Sequence, residues 1–400
     1  MSSRDVLPKP KIRAKLSIDN EGGAPRWRFV TTVPDNQWED VMKISHTMAR
    51  CLRGVAAVAL MAASFSAGTA YSADQSLVDA AVKEGHLTYA TNMTAPETQK
   101  VLEKAFRETY KLPDSFQIEG YTADSSGVVA RVGQEMAADK VSIDWVAVNS
   151  ESFWRGLAKK GALLEYCSES YKTLVFLKQA KVLDGGCYFQ AASVIVFGVM
   201  WNPAYVSEDI TSWAQLADPK YKGQIIIGDA RKSAGYLDQY AGLRQANVWT
   251  DEWLQKMKAQ DPFFVVRSTD IRDRVMSGEF PIAIFGFGPR AYQVRDQVPL
   301  KMGWPSEGIV ATGSYGGVLA KAPHPNAGKL WTDFIFSEKG QEILVEQEGI
   351  SSIAKVKVPD DAVPFIADVD KIKTVTVDWD AMTQEALDKW RSDFRRVFGE

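Results

Sequence analysis

Short apolar runs alternate with helical patterns along the chain from about residue 75. Three of these runs have the composition of strands: His86–Thr91, Phe116–Tyr121 and Ile143–Val148. Between them, in the segments 97–106 and 125–136, apolar residues recur three and four positions apart, which is typical of amphipathic helices. Strands that alternate with helices predict an α/β lobe of the doubly wound kind.

A second series of strand-like runs follows a long apolar stretch, Ala191–Trp201, which is long enough to pass from one lobe to another. The runs of this series are Ile225–Ile227, Phe263–Val266 and Phe280–Gly286. The stretch Gly313–Ala320 can then return the chain to the first lobe.

The length of 400 residues exceeds what one hydrophobic core usually holds, so two lobes are expected. We predict that residues 74–195 and 316–400 form the first lobe and residues 196–315 the second.

The first 73 residues differ in character from the rest. Residues 1–41 are polar and rich in proline, without a periodic apolar pattern, and we predict that they are a disordered extension from an over-assigned start codon. Residues 42–73 combine a basic segment, an apolar run and small residues, which is the pattern of a secretory signal peptide. The apolar run is shorter than the ~20 residues that span a bilayer. The mature protein should therefore begin near Ala73 and reside in the periplasm.

The composition excludes several classes of partner. Lys and Arg number 47 against 50 for Asp and Glu, a balance that argues against nucleic acid. Three cysteines and three histidines, without metal-binding spacing, predict neither a metal site nor a cofactor.

Cys167 and Cys187 remain after processing and can form a disulfide in an oxidising compartment, which would contribute ~3 kcal/mol; two free thiols are the alternative.

Polar residues follow each strand of the first lobe. In an open parallel sheet such loops meet at the carboxyl edge, where ligands bind, although each serine could simply cap a helix. The candidate ligand residues in these loops are Thr91, Asn92, Ser125, Ser126 and Asn149.

The second lobe contains a strand, a turn and a helix start at residues 224–240. Free amides at a helix N-terminus attract anions, and small residues allow a ligand to reach them. We expect Ser233, Ala234 and Gly235 to provide such amides, and an ordinary loop with a serine N-cap is the alternative. Three arginines that follow predicted strands could neutralise the anion, and two tyrosines could form a wall of the site; a solvated surface position or a core position is the alternative for each. These residues are Arg231, Arg267, Arg290, Tyr292 and Tyr315.

Four motifs, in this order behind a signal peptide, give the chain a family resemblance. They occupy Trp213–Gly223, Asp229–Arg231, Gly278–Ile282 and Phe334–Leu344. From about residue 75 onward, the sequence resembles the extracellular solute-binding proteins of ABC importers with the type 2 periplasmic fold, which include ferric-, polyamine- and phosphonate-binding members.

The resemblance implies a monomer of two lobes, joined by crossing strands, that closes on a small ligand and delivers it to an ABC permease. It also matches Ser233–Gly235 with the place where ferric-binding relatives hold an anion on helix amides. Thr91–Asn92 and Ser125–Ser126 match the first and second ligand loops.

One departure concerns iron. Ferric-binding relatives use two adjacent tyrosines after the strand that corresponds to Ile282–Phe285, whereas the loop here, Phe287–Tyr292, has a single tyrosine and an arginine. We therefore expect an organic anion, such as a phosphonate, carboxylate or sugar phosphate, with ferric iron plus an anion as the alternative.

Two other classes remain open. An enzyme can use the same fold, but His86 and His324, the histidines of the mature chain, lie in no spacing that suggests a nucleophile and base, and we predict no catalytic residues. A ligand sensor for a membrane receptor is the other alternative.

Overall fold

The computed structural model describes residues 13–16, 27–30, 74–174, 185–349, 356–366, 368 and 371–400. The chain divides into two units, residues 1–70 and 71–400. In the first unit, β1 (Arg13–Leu16) pairs with β2 (Trp27–Val30) in antiparallel orientation. The prediction of no regular structure in residues 1–41 differs from these two strands; β1 alternates polar and apolar residues over its four positions, and β2 over its first three. The predicted signal peptide lies outside the described residues.

The second unit contains two five-stranded sheets. The first sheet has the order β4-β3-β5-β12-β6, in which β3 is parallel to β4 and β5 while β12 is antiparallel to β5 and β6. Its strands are β3 (His86–Thr91), β4 (Gln117–Thr122), β5 (Trp145–Val148), β6 (Gln190–Val196) and β12 (Ala311–Val318). We call the part of the chain built on this sheet the first lobe.

The second sheet has the order β11-β7-β10-β8-β9, and it supports the second lobe. Strands β8, β9 and β10 run parallel, whereas β7 is antiparallel to β10 and β11. Its strands are β7 (Gly198–Trp201), β8 (Ile225–Gly228), β9 (Phe263–Val265), β10 (Ile282–Gly286) and β11 (Lys301–Gly303). The predicted two-lobed α/β fold is confirmed, and both sheets are mixed.

Helices connect the strands, and their apolar faces pack on the sheets. In the first lobe they are α1 (Gln75–Glu84), α2 (Pro96–Tyr110), α3 (Ser125–Ala137), α4 (Glu151–Lys159), α5 (Glu169–Leu174), α10 (Pro325–Phe336) and α11 (Glu338–Glu348). In the second lobe they are α6 (Ala234–Gln245), α7 (Asp251–Ala259), α8 (Ser268–Ser277) and α9 (Gly288–Tyr292), with α12 (Gln384–Phe398) last in the chain. Short 3₁₀ turns occupy Ala214–Ala217, Pro219–Tyr221 and Val363–Phe365.

The chain crosses between the two sheets twice. The long apolar run is divided into β6 and β7 at a single residue, Phe197, so one run serves two sheets. The return crossing precedes β12, which pairs with the first sheet along its whole length from Ala311, somewhat before the predicted boundary at residue 316.

The last helix differs from the predicted assignment of residues 316–400 to the first lobe. Phe394 of α12 packs edge-on against Tyr240 of α6 with ring centroids 5.0 Å apart, and the Tyr240 hydroxyl donates to Asp393 at 2.6 Å. An amphipathic helix has one apolar face to bury, but its pattern carries no information about which lobe covers that face.

Residues 325–348 form two successive helices, α10 and α11. Ser337 lies between α10 and α11 in an extended conformation, and its hydroxyl accepts a hydrogen bond from the Gly340 amide at 3.1 Å. Such capping starts a new helix and redirects the chain.

Cys167 and Cys187 form a disulfide with their Cα atoms 4.5 Å apart, within the range that this bond allows. Among the described residues, the helices are too short or too polar to cross a bilayer.

Candidate functional site

A cavity of about 320 Å³, here called the cleft cavity, lies between the two lobes. Its walls are formed by residues at the starts of helices α2, α3, α4, α6, α8 and α9, since each of these helices follows a strand that ends at this edge. The predicted residues that line it are Asn92, Ser125, Asn149, Ser233, Gly235, Arg267 and Arg290. These residues meet at the edge of the sheets where the cleft cavity lies, as expected for loops that follow the strands of open α/β folds.

Arg290 is the most completely buried cation of the cleft cavity, with 7% of its surface exposed. Its Nη1 donates to Glu348 in the first lobe at 3.3 Å, and its Nε donates to the Ser268 hydroxyl at 3.2 Å. Nη2 has no hydrogen-bond partner in the part of the chain that the structure describes. The guanidinium is thus fixed in position and keeps donors for a ligand.

Glu348 holds Arg290 from behind. One oxygen of this buried carboxylate accepts from the Ala95 amide at 2.7 Å and from the Thr98 hydroxyl at 2.5 Å, both at the start of α2. The other oxygen accepts from Arg290 and from Gln293 at 2.7 Å. This network joins the lobes and fixes the arginine in a single orientation.

Helix α8 presents its N-terminus to the same cavity. Arg267 occupies the N-cap position without a side-chain cap, and within the described residues the amides of Ser268 and Thr269 have no acceptor. Both residues line the cavity. Arg267 lies at the rim, where it is exposed and donates to Asp270 at 2.7 Å. Two free amides and two guanidinium groups give this wall a positive electrostatic character, which suits an anionic group.

Another wall of the cleft cavity is aromatic and largely apolar, and it consists of Phe197, Tyr236 and Phe287. The Phe197 and Phe287 rings are 5.3 Å apart, and Tyr236 stacks on the buried Phe285 with centroids 5.7 Å apart. The Tyr236 hydroxyl makes no hydrogen bond to another described residue, although the side chain is almost fully buried. Burial raises the pKa of this phenol well above its ordinary value, against a smaller opposing effect of nearby Arg290. The hydroxyl therefore stays protonated and can donate to a ligand.

The start of α6, predicted as the anion site, instead contacts the first lobe. The amides of Ala234 and Gly235 donate to the hydroxyls of Ser126 at 3.1 Å and Ser125 at 3.3 Å. The third free amide, that of Tyr236, is capped by Ser233 at 3.4 Å. The predicted role of these amides in holding a ligand is therefore wrong for this conformation, because the serines already satisfy them.

Ser126 and Ala234 do not line the cleft cavity. The Ser126 hydroxyl also donates to the Lys232 carbonyl at 2.6 Å, a second contact between the lobes. Gly235 is small for a structural reason. A Cβ atom there would lie 3.1 Å from the Asn149 side chain, which packs on it from the other lobe.

The two asparagines of the first lobe hold each other. The Asn92 side-chain amide donates to the Asn149 side chain, and the Asn149 backbone amide donates back to Asn92 at 3.3 Å. Thr91 is buried, and its hydroxyl accepts from the Met93 amide at 2.9 Å, so it shapes the turn behind the cavity and does not line it.

Arg231 does not enter the cleft cavity, contrary to the prediction. Its guanidinium pairs with Asp229 at 2.8 Å, lies over the rings of Phe264 and Phe394, and donates to the carbonyl of Gly399. This arginine anchors α12 to the second lobe, because a flat cation with an apolar face suits aromatic neighbours.

The two predicted tyrosines are also outside the cleft cavity. Tyr292 is buried, and its hydroxyl donates to the Glu346 carbonyl at 3.3 Å. Tyr315 is fully buried in the first lobe, where its hydroxyl bonds to Glu151. Both are core residues, the alternative that the sequence left open.

Several residues of the cleft cavity escaped the sequence analysis: Phe197, Tyr236, Ser268, Thr269 and Phe287. Ser268 and Thr269 had a usable signal, because they open a helix directly after Arg267 and a strand. The aromatic residues lay within apolar runs, where a wall of a ligand site and a core position look alike.

Across the described residues, His, Cys, Asp and Glu form no group of three that could hold a metal ion. Asp124, which lines the cleft cavity, accepts from the amides of Ser126 and Gly127 at 3.0 Å each and so caps α3.

The fold is similar to that of solved periplasmic binding proteins. AfuA from Actinobacillus pleuropneumoniae, with exogenous fructose-6-phosphate bound, is 17% identical with a TM-score of 0.67, covering 78% of this chain and 98% of AfuA. Iron-bound HitA from Pseudomonas aeruginosa is 18% identical with a TM-score of 0.62, covering 77% and 99%. Apo ferric ion-binding protein A from Pasteurella haemolytica is 15% identical with a TM-score of 0.63, covering 79% and 100%.

A search among curated proteins finds no match to the sequence. The family model described as bacterial extracellular solute-binding protein matches residues 147–384, more than half of the chain. This family supplies the periplasmic solute-binding components of ABC transporters. The chain therefore belongs to the bacterial extracellular solute-binding protein family.

Proposed function

We propose that this protein binds a small organic anion in the cleft cavity and delivers it to an ABC permease. The ligand class is a sugar phosphate, phosphonate or carboxylate. The observation that supports the proposal is the wall formed by Arg290, Arg267 and the free amides of Ser268 and Thr269. Hydrogen bonds from a guanidinium to an anion are short and strong, and amides at a helix start add positive potential.

The rest of the cavity suits the body of such a ligand. Phe197 and Phe287 offer flat apolar surface, and the Tyr236 hydroxyl offers a donor without a protein partner among the described residues. A ring with hydroxyl groups, as in a sugar, uses both kinds of contact.

The same features disfavour ferric iron as the cargo. A hard trivalent cation requires several anionic oxygens. The described residues that line the cavity include two arginines but one carboxylate, that of Asp124. AfuA and HitA, which share the fold, carry a sugar phosphate and iron respectively in the solved structures, so the fold admits both kinds of ligand.

A thermal-shift screen of the processed protein tests this proposal. The panel comprises fructose 6-phosphate and other sugar phosphates, aminoalkyl phosphonates, dicarboxylates, polyamines, and ferric ion with and without citrate. A ligand at ~100 times its dissociation constant stabilises the folded state by ~2.7 kcal/mol, which raises the melting temperature by a readily measured amount. A shift with an iron-free anion is expected. Stabilisation by ferric ion or polyamines alone would overturn the proposal.

A further inference from the structure

A second cavity, of about 620 Å³, lies on another side of the junction between the lobes. Helices α3 and α4 of the first lobe form one wall, α6 of the second lobe forms another, and the segment 379–391 closes the third. Its volume falls in the range of small-molecule sites, about 300 to 1,000 Å³, and exceeds that of the cleft cavity.

Apolar side chains make up most of the surface of the second cavity. They come from all three walls: Phe153 and Leu157 from α4, Leu237 from α6, and Trp379, Met382 and Leu387 from the C-terminal segment. A concave apolar surface of this kind binds the hydrophobic part of a ligand.

Two glycines keep this space open. Gly133 lies inside α3 and Gly156 inside α4, and both line the second cavity. A Cβ atom built on either would meet no other atom within 4 Å. Glycine in a helix interior costs about 1 kcal/mol relative to alanine, so neither position is explained by helix stability or by close packing. Because neither glycine has a side chain, the second cavity has more free volume.

Cations surround the second cavity. Arg155 donates to Glu151 at 2.7 Å, Lys159 lies 4.0 Å from Asp380, and Arg391 donates to Asp388 at 2.5 Å. Lys160 also lines the cavity and has no ion-pair partner in the described part of the chain. Among the described residues, the one carboxylate in the lining is that of Asp238, which accepts hydrogen bonds from Ser150 and Ser152 at the start of α4.

We propose that the second cavity binds an amphipathic organic anion, with an alkyl or aryl body on the apolar walls and a carboxylate or phosphate head at Lys160. The commitment to an anion follows from Lys160, the lining cation that has no ion-pair partner among the described residues. The other three lining cations are paired with carboxylates, and Asp238 is already hydrogen-bonded. An amine-headed ligand is disfavoured because its charge would lie beside the unpaired ammonium of Lys160. The proposal is independent of the ligand in the cleft cavity, because the two sites share no lining residue.

Calorimetric titration of the processed protein tests this inference, with decanoate and decyl phosphate as probes below their micelle-forming concentrations. Decylamine and 1-decanol serve as cationic and neutral controls of the same chain length. Saturable binding of one decanoate or decyl phosphate per protein, with Kd below about 1 mM, is expected, and both controls should bind at least 10-fold more weakly.

Substitutions in the lining test whether the probe binds in the second cavity. Gly156→Leu should fill the space and weaken decanoate binding at least 10-fold, while the matched Gly156→Ala keeps binding within about 3-fold. Gly133→Leu is the second filling variant, and Lys160→Glu should weaken binding without changing the melting temperature. The double variant Arg290→Gln, Glu348→Gln, which alters the other cavity without leaving a buried unpaired carboxylate, should leave decanoate binding unchanged.

Three outcomes would overturn the inference. They are the absence of saturable binding by either anionic probe, equal binding of decylamine or decanol, and unchanged decanoate affinity in both folded glycine-to-leucine variants.

Discussion

The hydroxyls of Ser125 and Ser233 lie 3.1 Å apart, one on each lobe. They belong to the starts of α3 and α6, which face each other across the junction. With Ser126 they satisfy the first amides of α6, so the contact between the lobes uses groups that an isolated helix would leave to water. The lobes are therefore held together by hydrogen bonds of their own, independent of any ligand.

This serine contact should stabilise the closed form, in which the two lobes contact each other as they do in this structure. In the double variant Ser125→Ala, Ser126→Ala, two amides of α6 lose their acceptors, and we expect the closed form to lose about 2 kcal/mol, which is ~30-fold in ligand affinity. Calorimetry gives the affinity, and small-angle scattering gives the radius of gyration, which should increase. Ser115→Ala, at an exposed site of the same lobe, is the matched control. Unchanged affinity and radius in the double variant would show that the contact is energetically neutral.

Arg290 should control affinity for the anion. Arg290→Gln removes the buried guanidinium from the cleft cavity but leaves the Glu348 carboxylate without its cation, so the double variant Arg290→Gln, Glu348→Gln separates binding from folding. We expect at least 100-fold weaker anion binding in both, with near-normal stability in the double variant. Wild-type affinity in the double variant would exclude Arg290 from the ligand site.

Arg231 should affect stability and not binding. Its ion pair with Asp229 is almost fully buried, and loss of one partner of a buried pair costs roughly 3–5 kcal/mol. Arg231→Gln should lower the free energy of unfolding by an amount of that order, measured by urea denaturation, with anion affinity unchanged at a temperature where the variant is folded. A loss of anion binding without a loss of stability would indicate that Arg231 contacts the ligand.

The pKa of Asp238 predicts how stability depends on pH. Burial between α4 and α6 raises this pKa from 3.8 to about 7, against hydrogen bonds from Ser152 and Ser150 that lower it. The folded state then holds the proton more tightly than the unfolded state, so this group makes stability fall as the pH rises from about 4 to about 7.

Asp238→Asn should abolish that contribution. We expect the variant to be more stable than the wild type at pH 8, and its free energy of unfolding to vary less between pH 4 and pH 7, as measured by denaturation at several pH values. Asp114→Asn, at an exposed position, controls for the loss of one carboxylate. If the free energy of unfolding varied equally with pH in Asp238→Asn and the wild type, Asp238 would not be the source of the pH dependence.

The sequence was sufficient to predict the fold and the edge of the sheets where the cleft cavity lies. Strand and helix periodicities report local structure directly, and polar loops after strands such as those at Asn92 and Asn149 collect at one edge in any open sheet of this kind. The boundaries of β6 and β7 were not predictable, because an apolar run looks the same whether it remains in one sheet or passes through Phe197 into another.

The roles of individual residues were less predictable, for a physical reason. Arg231 and Arg290 both follow strands of the second lobe, yet one pairs with Asp229 beside α12 and the other lines the cleft cavity. The difference depends on partners distant in the sequence, Phe394 for Arg231 and Glu348 for Arg290. Local sequence patterns carry no record of such contacts.

The most direct test of the proposed function is a crystal structure of the protein with the anion that the thermal-shift screen selects. We predict that the anionic group lies within 3.2 Å of the Arg290 guanidinium, on the same scale as the hydrogen bond that Arg290 makes to Ser268. It should also accept hydrogen bonds from the amides of Ser268 and Thr269. An anion bound elsewhere, or a ferric ion coordinated in the cleft cavity, would contradict the proposed function.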